Sequence, residues 1–414
     1  MHCTRLAAAN FRNYIRLDLS LPPGSSVIVG DNAQGKSNLL EAIYLLATTR
    51  SFRASVDREL VSWRELTSDL PFARLSATVQ RRAGEVHVEA IISVAPSQIG
   101  SLAESAPTGK RLRVNGIPKR SVDYLGAINV VMFSPRDIEL VDGPPAQRRR
   151  YLDVTICQVE PAYVRALARY NKIVIQRNAL LRQIRDGRAR VESLAPWDQE
   201  LVAAGAYITR QRESTIAQLA AFARERYHEL TGRQEVLEIV YRPSVEASDA
   251  EPTLPGFRPS RTGALPSAIE DTYRRQLRAT QRRDIAAGVC CLGPHRDDLA
   301  FFSLDRDVAL YGSRGQQRTV ALALKLAEAE FLRQRTGEQP ILLLDDVLSE
   351  LDEHRREYVL GSIAPDQQVL LTATDLSDFS AGFLAGAAVY HVREGIIDLV
   401  SPAGRAAGAR AESA

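Results

Sequence analysis

Three short stretches of this chain carry residues suited to phosphate chemistry. The first, Gly30-Asp31-Asn32-Ala33-Gln34-Gly35-Lys36-Ser37, has its glycines, lysine and hydroxyl at the spacing of a phosphate-binding loop. Gly30 and Gly35 let the backbone bend so that N–H groups converge on phosphate oxygens at a helix N-terminus. Lys36 would hold the β- and γ-phosphates of ATP, and Ser37 would ligate Mg²⁺. The second stretch is Ser313-Arg314-Gly315-Gln316-Gln317-Arg318-Thr319. The third, Ile341-Leu342-Leu343-Leu344-Asp345-Asp346, is an apolar run ending in two carboxylates.

Each stretch needs an element to hold it. Before the loop, Leu17–Leu21 alternates like a half-buried strand and Ser26–Val29 reads as a buried one. After it, residues 37–46 have helical spacing, with apolar side chains at 39, 40, 43 and 46. Strand, glycine loop and helix are the setting that makes the loop a site. The run 341–344 is too short for a helix and predicts a central parallel strand. Asp345 and Asp346 then stand at its C-terminal end, where open α/β sheets bind ligands. Asp345 would reach Mg²⁺ through water, and Asp346 would orient or deprotonate the attacking water. A helix N-cap is the plainer use of such a pair.

The Ser313 stretch opens a helix from Val320 to Phe331. Ser313, the Gly315 N–H, Gln316 and the first-turn amides would make an anion site without a lysine. Because the chain already has a phosphate loop, this second site suits the γ-phosphate of ATP held by another copy. A polar helix cap is the alternative.

Bulk properties bound the class. At 414 residues, two domains are expected. The net charge of +3 is too small to argue for nucleic acid, so the distribution of charge must do so. Cys3, Cys157, Cys290 and Cys291 show no C-x-x-C spacing, which argues against zinc and a disulfide framework. The first residues hold no apolar signal core, and no run reaches membrane-span length. A cytoplasmic protein with no membrane partner is the expectation.

The resemblance then becomes specific. Phe11-Arg12-Asn13-Tyr14, the loop through Asn38-Leu39-Leu40-Glu41-Ala42, Phe133-Ser134-Pro135 and Arg148–Asp153 look like the RecF family. So do Gly293–Leu299, Gly315–Thr319 and Leu344–Asp352, all in the family's order over most of the chain. The resemblance implies an SMC-like ABC ATPase with an α/β fold. Its head would be assembled from residues 1–140 and 285–414, around a mainly helical insert at 141–284. It further implies a DNA repair and replication protein that dimerises around two ATP molecules. Such a protein binds DNA and works with RecR and RecO to load RecA at gaps. Ser349–Asp352 resembles the D-loop of an ABC dimer interface. Thr374 stands where many ABC ATPases have a switch histidine, and no Q-loop glutamine is found near Phe133. With Asp346 replacing the usual glutamate, hydrolysis should be slow.

Inside the insert, Tyr163–Ile184 and Leu201–Leu230 read as helices that could pair as a short antiparallel arm. A polar break falls near 243–266, and the Ala/Gly-rich tail from 402 to 414 is expected to be disordered. Arg148, Arg149 and Arg150 begin a basic run to Arg190, and Arg274–Arg283 repeats the bias on a helix. Lys110, Arg111 and Arg113 flank Val114-Asn115-Gly116-Ile117, a hairpin-turn signal. These clusters are candidates for duplex DNA or single-strand/duplex junctions, bound through phosphates with few aromatics to read bases. Solvated surface faces are the bland alternative. His295 with Asp297 could pass for an acid/base pair, but no further ligand lies near. Two other functions compete: a transporter's nucleotide-binding subunit, disfavoured by the long insert and missing glutamate, and a scaffold whose ATP fixes only its shape.

Overall fold

The run Ile341–Asp345 is buried along its whole length and lies inside a six-stranded sheet. In this computed structural model residues 1–94, 108–245 and 266–401 are described. The strand order is Ile396–Ser401, Ala388–Arg393, Ser25–Val29, Val369–Ala373, Ile341–Asp345 and Val130–Phe133. All neighbours are parallel except the terminal hairpin 388–401. Parallel strands covered on both faces tolerate unbroken apolar runs, which explains Leu342-Leu343-Leu344 and Val369-Leu370-Leu371.

A second six-stranded sheet is antiparallel, in the order Tyr14–Ser20, His2–Phe11, Phe72–Arg81, Gly84–Val94, Thr108–Val114 and Ile117–Lys119. The helix Lys36–Thr48 touches strands of both sheets and is buried on nearly every side. A helix apolar all round must be enclosed, and Leu39, Leu40, Ile43, Leu45 and Leu46 are all fully buried. Each contributes roughly 1.5–3 kcal/mol of transfer free energy. The turn joining Val114 to Ile117 has φ 51° at Asn115 and 76° at Gly116, the primed geometry that Asn-Gly favours.

These elements form one unit, Met1–Arg136 with the chain from Leu332 onward; a second unit is Asp137–Phe331. The second unit thus extends beyond residue 284, the expected end of the insert. The physical reason is pairing: Asp298–Ser303 runs antiparallel to Leu237–Arg242. Its longer helices include Pro145–Cys157, Pro161–Arg185, Ala195–Leu230 and Pro266–Ala287. Helices 161–185 and 195–230 are antiparallel, with Arg177 bonded to Asp198 and Tyr163 to Arg212. The expected two-helix seam is closed by the third helix, 266–287, so Tyr163, Tyr170, Leu201, Ile208, Tyr273 and Leu277 share one core. Most of the polar break and the tail from 402 lie outside the described residues.

Candidate functional site

The phosphate loop joins Ser25–Val29 to the helix beginning at Lys36. Gly30 is required by space, since a Cβ there would lie 2.3 Å from the Val392 carbonyl oxygen. Gly35 has φ 121° and an added Cβ would meet Asn13 Nδ2 at 2.6 Å, so both space and backbone select glycine. Ala33 also takes a left-handed φ of 65°. The Lys36 ammonium donates to the carbonyls of Gly30 and Asp31 (3.0 Å to the latter), folding back over the loop. Burial lowers its pKa, and the carboxylates of Asp346, Asp345 and Asp31 oppose that shift. Asn38 and Leu39 N–H donate to the Gly35 carbonyl, and the N–H groups before them, which a helix start leaves without an intrahelical acceptor, are the ones an anion would meet. Asp31, Asn32 and Ala33 are exposed at the loop's rim, and Gln34 is half-buried.

The carboxylates stand where the strand pattern puts them. Ser37 Oγ donates to Asp345 Oδ1 at 2.6 Å across 308 residues of sequence. The same Oδ1 accepts from Thr372 Oγ1 at 2.9 Å, and Thr372 Oγ1 also accepts the Asp346 N–H at 3.0 Å. Asp346 itself has φ 52°, left-handed for a residue with a Cβ, a strained conformation of the kind found at functional sites. Thr372 thus ties the Asp345 carboxylate and the Asp346 backbone to the neighbouring strand, a role not expected from the sequence. Its signal was a lone hydroxyl in the apolar strand Val369–Ala373. Thr374, noted as a departure from the wider pattern, is exposed beyond that strand. Ser37 and Asp345 are hard oxygen donors beside a lysine, and this set fits a magnesium nucleotide.

A further layer holds the loop. Asn13 Nδ2 donates to the Gln34 carbonyl, Tyr14 OH to the Gly35 carbonyl, and Asn38 Nδ2 to Asn13 Oδ1, all within 2.8–2.9 Å. Arg12 grips the fully buried Glu41 through two 2.8 Å bonds, and Ser51 Oγ also donates to Glu41. Arg53 reaches Asn38 Oδ1 at 3.2 Å. The Phe11–Tyr14 motif and the segment after the helix are therefore braces for the loop. Lys110 is braced as well, donating to Asp57 and the Thr49 carbonyl. Arg111 and Arg113 are exposed, and Arg113 lies 3.4 Å from Glu89.

In the second unit the Ser313 helix starts at Arg314, six residues before Val320. Gln316 N–H donates to Ser313 Oγ at 3.2 Å, and Gln316 Oε1 accepts the Ser313 N–H at 3.0 Å. This is a reciprocal capping box, so the cap reading of the motif holds within the chain. Ser313 remains exposed, and Gly315 has open space about its Cα. Thr319 Oγ1 bonds the Gly315 carbonyl and Gln317 Nε2 bonds the Val308 carbonyl, fixing the helix entry.

Two of the three arginines in the Arg148–Arg150 cluster are drawn inward. Arg148 is buried and grips Asp298 through Nε at 2.6 Å and Nη2 at 3.0 Å, with Nη1 on the Gly143 carbonyl. Arg149 donates to the Asp297 carbonyl at 2.8 Å. Arg150 alone of the three is exposed. The correction has a physical cause: Asp297 and Asp298, about 150 residues away, are the partners that withdraw the pair from solvent. Arg177 and Arg212 are buried too, the first between Asp198 and Asp284, the second between Asp153 and Asp297. His295 Nε2 lies 3.0 Å from the Cys290 carbonyl and Nδ1 2.7 Å from Tyr170 OH. Both ring nitrogens are thus used in packing, and burial lowers the His295 pKa.

The two sheets, the phosphate loop and the hydroxyl–carboxylate set at the parallel strand ends define an ABC-type ATPase head. The family described as "RecF/RecN/SMC N terminal domain" matches residues 2–397. The chain is 47% identical over 403 residues to the DNA replication and repair protein RecF of Chloroflexus aurantiacus, covering 95% of this chain and 99% of that one. It is 38% identical to the RecF of Halalkalibacterium halodurans, covering 95% and 98%. The solved recombination mediator protein RecF-ATP of the RecFOR pathway superposes with a TM-score of 0.81, at 32% identity over 97% of this chain and 98% of that one. An Smc head bound to the C-winged helix domain of ScpA shares the fold alone, at 14% identity and a TM-score of 0.52 over 98% of each chain. The chain belongs to the RecF family of DNA replication and repair proteins.

Proposed function

We propose that the protein is an ATP-gated DNA clamp of recombinational repair and replication restart. The observation that carries this reading is the coupling of Ser37 and Asp345 at 2.6 Å beside Lys36, with Thr372 holding Asp345 and Asp346 together. Loop residues Gly30–Ser37 would hold the ATP phosphates, and Ser37 with Asp345 would hold Mg²⁺. The bound metal supplies charge neutralisation at the phosphates. Asp346 would position water, slowly, because an aspartate is one methylene shorter than the usual glutamate. Ser313, Gly315 and Gln316 would complete the site of a second copy, since Ser313 is exposed, the other two are only half-buried and the chain has its own lysine-bearing loop. The family resemblance supports RecR and RecO as partners and RecA loading at gaps as the outcome. In the second unit, DNA contacts fall to exposed arginines such as Arg278 and Arg282, in place of Arg148 and Arg149.

The test is fluorescence anisotropy of a labelled gapped duplex, titrated with the full chain in Mg-ATP and then Mg-ADP. Markedly tighter binding with ATP is expected. Equal binding would remove the gate, and no binding in either nucleotide would favour a protein scaffold.

A further inference from the structure

Register decides what stands on the solvent face of the antiparallel sheet. Ala9 faces Arg16 on one side and Arg74 on the other; Ala7 faces Asp18 and Ser76; Arg5 faces Ser20 and Thr78. Further across, Arg74 faces Ile91, which faces Arg111, and Ser76 faces Glu89, which faces Arg113. Arg16, Arg74 and Arg111 therefore share one row, on every second strand and about 10 Å apart at the usual strand spacing. Arg113 stands in the next row of this face and Arg5 in the row beyond that.

Only two carboxylates, Asp18 and Glu89, offset these five arginines in the rows. Asp18 is paired with Arg5 at 2.5 Å, and Glu89 is shared between Arg74 and Arg113. Neither Arg16 nor Arg111 forms an ion pair among the described residues, although Asp18 attracts Arg16 at longer range. Between Arg5, Arg16 and Arg74 lies an open groove of about 500 Å³, lined also by Ala7, Ala9 and Ser76, with Arg111 standing beyond it in the same row. Alanine is a poor strand former and packs little across a sheet, so a row of it on a solvent face has no local rationale. What it provides is a shallow floor that a long ligand can approach.

A protein partner would need apolar anchors. The apolar side chains here are few and scattered: Ile15, the half-buried Ile91 and the exposed Phe72 two positions before Arg74. Guanidinium groups match phosphate oxygens with two parallel donors. Repeated positive charge over a small-residue floor complements a repeated negative charge. We infer that this sheet face binds nucleic-acid backbone, with Arg16, Arg74 and Arg111 on phosphates and no reading of bases.

The inference rests on the DNA-binding reading above, and one experiment separates the two. A labelled duplex and a labelled single strand are titrated over a salt series in Mg-ATP with the wild type, Arg16→Glu/Arg111→Glu and Ala7→Glu/Ala9→Glu. The arginine variant should lose at least tenfold in affinity, and its salt slope should fall by about 2, near 0.9 per phosphate contact. The alanine variant, which keeps every arginine, should also lose affinity. Thermal melting and binding of a fluorescent ATP analogue should match wild type. Wild-type affinity and slope in both variants overturn the sheet face while leaving DNA binding elsewhere. Failure of the wild type to bind DNA overturns both readings. Unchanged DNA binding with lost affinity for polyglutamate would assign the face to an acidic protein and overturn the inference.

Discussion

Arginine is used in opposite ways in two regions of this molecule. On the antiparallel sheet, Arg16 and Arg111 stand in solvent without ion-pair partners among the described residues. In the second unit, Arg148, Arg177 and Arg212 are withdrawn from water and each is gripped by aspartate. The first kind leaves charge free to attract a ligand. The second uses its charge internally, because a guanidinium out of water needs a carboxylate beside it. The difference teaches that a basic run in a sequence identifies a surface only after its long-range partners are known.

The comparison breaks if the buried set can be removed cheaply. Arg212→Met leaves Asp153 and Asp297 facing each other without the cation, and should cost about 3–5 kcal/mol of unfolding free energy. Urea denaturation measures it, and a loss below 1 kcal/mol would place Arg212 with the surface arginines. Arg148→Glu should cost about 3 kcal/mol through its clash with Asp298. Any loss of DNA binding in that variant should therefore track loss of fold, seen by far-UV circular dichroism beside the anisotropy assay.

Lys36 sharpens the contrast, being a buried cation whose partners are exchangeable carbonyls. Lys36→Ala should leave melting near wild type yet weaken ATP about 100-fold, as expected when charge-assisted bonds worth ~1.5–3 kcal/mol are lost. Titration with a fluorescent ATP analogue reads this directly. Thr372→Val keeps the strand but strands the Asp346 N–H, and should cost about 1 kcal/mol in stability and slow hydrolysis. Single-turnover ATP hydrolysis checks the second part.

The smallest effect is one of pH. His295 is lowered from its ordinary value of 6.5 by burial, so the unfolded chain protonates first as pH falls. Its contribution is therefore complete above about pH 6.5 and is lost as pH drops toward the folded value. Wild-type melting should fall more between about pH 7.5 and 5.5 than that of His295→Gln. Equal falls would mean that other groups carry the dependence.

Legibility followed the range of the interaction. The phosphate loop, the strand ending in Asp345 and the Asn115-Gly116 turn each rest on neighbours within a few residues, and their residue types disclose the geometry. The capping box at Ser313 was also local, and was open in the sequence as one of two readings. Arg148 with Asp298, and Thr372 with Asp345, join residues 150 and 27 positions apart. No periodicity encodes such pairs. Arg12 and Glu41 stood inside recognised motifs, yet their mutual grip became visible only when the sheet and helix were brought together. Alanines at 7 and 9 carried a signal of a different sort, a local preference broken without a local reason.

The turn between the last two strands of the parallel-based sheet bears on how the protein is made. Glu394 N–H donates to Gln34 Oε1 at 2.7 Å, Gly395 N–H donates to the Gln34 carbonyl, and Val392 lies over Gly30. The loop emerges from the ribosome early, but the residues that clamp it follow some 360 positions later. At roughly 5–20 residues per second, that interval lasts about 20–70 s. Throughout it, the nascent chain holds an unfinished phosphate cradle. A chain halted before this turn lacks both hydrogen bonds to Gln34, so the last clamp on the loop is set near the end of synthesis.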